Sequence, residues 1–86
     1  MNKFTFYKDT QMKVWKREKF VVEAENMELA KQRAAGLIDE TLGNAERKGD
    51  VSKVSDELLT WLLEEIGYPG GTVLIFDENE NLIAEN

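Results

Sequence analysis

Residues 20–42 constrain this chain more than any other stretch. A short β-patterned run, Phe20-Val21-Val22-Glu23-Ala24, meets an amphipathic helical pattern with only Glu25-Asn26 between them. Phe20, Val22 and Ala24 share one face of the run, and Val21 and Glu23 share the other. Asn26 is placed to cap the helix, because its side-chain oxygen can accept an N–H of the first turn, and Glu28 suits the positive end of the helix dipole. One broad apolar arc runs from Met27 through Ala30, Ala34, Leu37 and Ile38 to Thr41 and Leu42, and Gly43 closes the helix. The small residues Ala30 and Ala34 would let this helix lie close on a sheet.

The rest of the chain supplies that sheet. Phe4-Thr5-Phe6-Tyr7 reads as a strand, paired in a hairpin with residues 20–24. Two positions fit its turn: Asp9-Thr10-Gln11, or Lys16-Arg17-Glu18-Lys19 if Met12, Val14 and Trp15 continue the first strand. Residues 43–50 are polar and flanked by glycine, the pattern of a mobile loop. Ser55 then caps a second helix with Leu58, Leu59, Leu62, Leu63 and Ile66 as its stripe. Tyr68-Pro69-Gly70-Gly71 is a turn, and Thr72-Val73-Leu74-Ile75-Phe76 suggests a strand covered on both faces. Asp77-Glu78-Asn79-Glu80-Asn81 turns the chain into Leu82-Ile83-Ala84. The expected fold is α+β in the order ββ-α-α-ββ, with two antiparallel hairpins forming a small sheet and both helices on one face. Whether the hairpins share that sheet is left open by the pattern.

With 86 residues the chain makes one small domain, burying about 60–65% of its unfolded surface. Its core is expected from Phe4, Phe6, Val22, Ala34, Leu37, Ile38, Leu59, Leu62, Leu63, Ile66, Val73 and Ile75. There is no cysteine and no histidine. That removes disulfides, thiol nucleophiles, the usual structural zinc sites and the commonest general base. No run reaches the length of a membrane span and the first residues lack the apolar core of a secretory signal, so a cytoplasmic protein is expected.

Chemistry by carboxylates would need converging side chains. Glu64 with Glu65, and Asp39 with Glu40, are neighbours on a helix and point about 100° apart. Gly67-Tyr68-Pro69-Gly70-Gly71 lacks the lysine and the following helix of a phosphate loop. Asp77, Asn79 and Asn81 match the first ligands of a calcium loop, but Leu82 stands where that loop needs glycine, and its closing glutamate would fall beyond Asn86. The expected reading is a hairpin turn, with no enzyme activity, cofactor, metal or small-molecule substrate.

Val22-Glu23-Ala24-Glu25-Asn26-Met27-Glu28-Leu29-Ala30 resembles the strand-to-helix signature of small proteins carried on bacterial mobile elements, including the DpnD/PcfM-like group. There a V-E-A strand end leads through a capping residue into an E-E-A helix start; Leu29 stands where that pattern has Glu. The resemblance implies an accessory protein of a mobile or phage-like element, and it brings no functional residues with it.

Two kinds of partner follow from the surface. Leu29 lies opposite the apolar arc of its helix and Trp61 lies beyond the edge of the other stripe, as anchors for a protein partner or a second copy would. The alternative uses charge: residues 1–20 carry +4 and the remainder −10, for a total of −6. Lys13, Trp15, Lys16, Arg17 and Lys19 would then follow a phosphate backbone and stack bases. The acids, Glu57, Glu64 and Glu65 among them, are too dispersed to imitate a nucleic acid.

Overall fold

The computed structural model describes residues 1–11, 15–59 and 72–86. Strands β1 (Asn2–Gln11) and β2 (Trp15–Ala24) form an antiparallel hairpin. After β2 come α1 (Met27–Ala35), a 3₁₀ turn (Gly36–Asp39) and α2 (Leu42–Glu46). The chain then adds β3 (Val51–Leu59), β4 (Val73–Asp77) and β5 (Leu82–Glu85). All five strands lie in one sheet of order β3-β2-β1-β4-β5, and every neighbouring pair is antiparallel.

Alternation along the strands decides where the core sits. Phe4 and Phe6 of β1 face Val22 and Phe20 of β2 directly, and the Phe6 and Phe20 rings stack with centroids 5.8 Å apart. On the same face Val51 lies opposite Val22. Ile75 of β4 extends this layer, and Ala30 and Ala34 of α1, Leu37 of the 3₁₀ turn, and Leu42 and Ala45 of α2 close over it. The small alanines let α1 approach the sheet closely, and the large volumes come from the strands and from Leu37.

Both hairpins share the sheet, because β1 lies between β2 and β4. The order ββ-α-α-ββ is corrected in two places. First, residues 51–59 form a strand, where the leucine spacing suggested that a helix begins at Ser55. This strand pairs with β2 along its length, Glu57 opposite Arg17 and Leu59 opposite Trp15. The ten-residue β2 presents a row of backbone donors and acceptors that must be satisfied, and that demand outweighs a local helical period. Leu62, Leu63 and Ile66, and with them the rest of that expected helix, lie outside the described residues.

Second, the helix expected over residues 27–42 is broken. Asn26 does cap it, its side chain accepting the Leu29 N–H at 2.9 Å, but Gly36 ends α1. Glu40 is extended, and Thr41 caps α2 by accepting the Asn44 N–H at 3.2 Å. The break lets Leu37 and Leu42 both reach the core, and it places Gly43 inside α2, in the segment expected as a loop. Among the described residues two helices, α1 and α2, cover one face of the sheet, but the second is not the helix expected from Ser55. The first hairpin's turn lies at neither expected position, since Asp9–Gln11 and Lys16–Lys19 are all paired strand residues and Gln11 faces Trp15.

Candidate functional site

The face of the sheet away from the helices is organised around Arg17. Its Nε and Nη2 donate to Asp9 Oδ1 and Oδ2 at 2.8 and 3.0 Å, and its Nη1 donates to Glu80 Oε1 at 2.7 Å. The guanidinium also lies over the Tyr7 ring, 4.9 Å from its centre, and 5.7 Å from that of Phe76. Asp9 is directly opposite Arg17, and Tyr7 is directly opposite Phe76. One side chain thus ties β2, β1, β4 and the last turn together. Hydrogen bonding to Asp9, against burial, raises the pKa of Arg17 further above its already high ordinary value.

This arrangement places the residues expected to meet a nucleic acid. Trp15 is buried, Lys16 lies 4.0 Å from Glu18, and Arg17 is held by two carboxylates. Lys19 joins Tyr7, Arg17, Ser55, Asp56 and Glu57 around a cleft of about 270 Å³. Lys13 lies outside the described residues.

On the helix face Lys8 is buried and donates from Nζ to the Glu40 carbonyl at 2.6 Å. Burial pushes its pKa below the ordinary lysine value, and Glu18, Glu40 and Asp39 oppose that shift. The Glu40 carboxylate accepts from Lys48 at 2.7 Å and from Arg33 at 3.2 Å, and Arg33 also donates to Asp50 at 2.8 Å. Lys48 foremost, with Arg33, holds the Glu40 carboxyl below its usual range. Glu40 therefore joins α1 to the turn after α2, while its neighbour Asp39 is exposed.

The turn after β4 uses both oxygens of Asp77 within itself. Oδ1 accepts the N–H groups of Asn79 and Asn81, each at 2.9 Å, and Oδ2 accepts Asn81 Nδ2 at 3.2 Å. Asn81, through its backbone and then its side chain, holds the Asp77 carboxyl below the usual range, helped by Asn79. Glu80 sits at φ 63°, the left-handed region, which directs the chain back into β5. A depressed folded pKa means that the unfolded state binds more protons in acid. The stability from Asp77 is complete above the ordinary value of about 3.9 and is lost as pH falls through the folded value. Melting temperatures measured from pH 6 down to pH 2 should fall more steeply for the wild type than for Asp77→Asn. Parallel curves would show that the turn does not depend on this carboxylate.

Of the two expected anchors, Leu29 is 45% exposed on α1, and Trp61 lies outside the described residues. The sequence reading missed the outer side of β3. Lys53 pairs with Phe20 and Ser55 with Lys19, so Val54 is an extra residue in a bulge. Val54 and Leu58 are 56% and 58% exposed, and among the described residues no strand pairs with the side of β3 away from β2. The β-branched and hydroxyl residues of Val51-Ser52-Lys53-Val54-Ser55 were the available signal, masked by the leucine period that follows. Among the described residues no acidic cluster is able to hold a metal ion, and no helix is long and apolar enough to cross a membrane. No family model, curated protein or solved structure matches the chain.

Proposed function

We propose that this protein is a non-catalytic interaction module that acts by strand addition at the outer edge of β3. Its setting would be the one that the strand-to-helix signature of residues 22–30 implies, an accessory protein of a bacterial mobile or phage-like element. The carrying observation is the nine-residue β3, paired on one side only among the described residues, with Val54 and Leu58 exposed along it. An edge of this kind offers main-chain hydrogen bonds to an extended partner, and alternate side chains select which partner fits.

A photoreactive amino acid at position 54 of the full chain, irradiated in cells, tests the reading. It should give a discrete adduct that a Glu28 control on the exposed side of α1 does not. Absence of any adduct specific to position 54 would overturn it.

Nucleic-acid binding through the N-terminal hairpin is the second reading, favoured by Lys19 standing beside Tyr7 in the cleft. Phosphate contacts would make affinity for single- or double-stranded DNA fall steeply with salt. No binding at low salt removes that reading.

A further inference from the structure

We infer that the strand added to β3 is β3 of a second copy, antiparallel, across a two-fold axis between Val54 and Ser55. This inference rests on the edge reading above and names the partner.

The direction of the β3 backbone sets which residues a second strand can bond. The Glu23 N–H donates to the Asp50 carbonyl at 2.9 Å, so alternate residues of β2 from Glu23 onward turn their backbone groups toward β3. Their partners Ser52, Ser55 and Glu57 therefore bond inward. Val51, Lys53, Asp56 and Leu58 direct their backbone groups outward instead; the Lys53 N–H donates to the exposed Glu46 carboxylate at 3.3 Å, a contact that the added strand would displace. The bulge at Val54 has shifted the alternation by one residue, which makes this outward set symmetric about the point between Val54 and Ser55.

Only an antiparallel register centred there matches all four outward residues with outward residues. It sets Val51 opposite the second copy's Leu58, and Lys53 opposite the second copy's Asp56, each pair occurring twice. Face matches face as well. Val51 and Lys53 lie opposite Val22 and Phe20, while Asp56 and Leu58 lie opposite Glu18 and Lys16, which continue the same side of β2. Paired edges would thus form one continuous sheet with both sets of helices on the same side.

Charge complementarity selects the same register. In a single chain Lys53 Nζ already lies 2.7 Å from Asp56 and 3.5 Å from Glu18. Across the two-fold axis, Lys53 and Asp56 of both copies would form an alternating quartet. Moving the register by two residues in either direction sets these charges against Val51, Val54, Ser55 or Leu58. A lysine and a bulge on an edge commonly deter pairing. Here the bulge creates the symmetry, and the lysine meets an acid.

An interface made by one strand from each copy is small, so micromolar or weaker association is expected. Sedimentation equilibrium of the full chain from about 10 μM to about 1 mM should show a monomer passing to a dimer. Lys53→Asp sets acid against acid twice, and Asp56→Lys sets base against base twice. Each variant alone should dimerise at least about tenfold more weakly. Mixing the two one to one restores opposite charges at both pairs, and a heterodimer of near wild-type affinity should form. Circular dichroism checks that each variant is folded, and recovery in the mixture cannot arise from a folding defect.

A wild type that stays monomeric throughout overturns the inference, as does a mixture no more associated than its parts. An adduct at position 54 with a different protein would also overturn it while leaving the edge reading standing. No adduct at all would remove both.

Discussion

Phe20→Ala should remove a large share of the protein's stability and lower its urea midpoint accordingly. Phe20 and Phe6 have no solvent exposure, face each other across β1 and β2, and stack at 5.8 Å. Truncating a buried phenylalanine to alanine costs about 3–5 kcal/mol, because transfer energy is lost and a cavity remains. Neighbours able to collapse into that space are few, since Ala30 and Ala34 on the facing helix are already small. A domain of this length has a total stability of about 4–13 kcal/mol, so the loss takes a large share of it. Phe4→Ala, at a partly buried position packed against the same cluster, should lose about half as much. Urea unfolding followed by circular dichroism measures both. A Phe20→Ala variant within about 1 kcal/mol of wild type would show that the ring pair does not anchor the core.

Arg17→Met should destabilise the protein by about 3 kcal/mol, far more than a surface lysine would on losing its charge. The reason is Asp9, which is buried and takes two hydrogen bonds from the guanidinium. Without them its carboxylate stays desolvated beside apolar rings. Glu80 matters less to this balance, since its side chain is largely exposed. Replacing both partners, in Arg17→Met with Asp9→Leu, should recover most of the loss, because no buried charge is then left unpaired. Arg17→Lys should fall between, since an ammonium keeps the charge but loses the two-pronged fit and the stacking on Tyr7 and Phe76. A double-mutant cycle on urea midpoints isolates the coupling. Strictly additive losses would contradict the account of Arg17 as a clamp across three strands.

Much of the fold was legible where one local signal acts alone. The alternation of Phe4 with Phe6 and of Phe20 with Val22, the Asn26 cap and the turn from Asp77 all depend on neighbours close in sequence, and all appear as expected. Legibility failed where distant demands compete. The leucine period after Ser55 is helical, yet the Val51–Leu59 backbone is claimed by β2, with partners that run from Val22, opposite Val51, back to Trp15, opposite Leu59. Thr41 lies on the apolar arc of a continuous helix, but it serves as a cap, because Gly36 ends α1 and the extended Glu40 starts the chain afresh before α2.

The basic character of the first hairpin was likewise a property of the sequence more than of the surface. Arg17 meets Asp9 and Glu80, and Lys8 is buried against Glu40, contacts that no count of charges reveals. The β3 edge was hidden for the same reason as the strand itself. Only once β3 is placed beside β2 do Val54 and Leu58 become neighbours along an exposed border.

Amide hydrogen exchange along β3, read residue by residue, tests most directly that this strand is an open edge. In dilute protein Ser52, Ser55 and Glu57 should be protected by β2, while Asp56 and Leu58 exchange fast; at concentrations where copies pair, the second group should slow. Uniform protection of both groups in dilute protein, or uniformly fast exchange of both, would contradict the account.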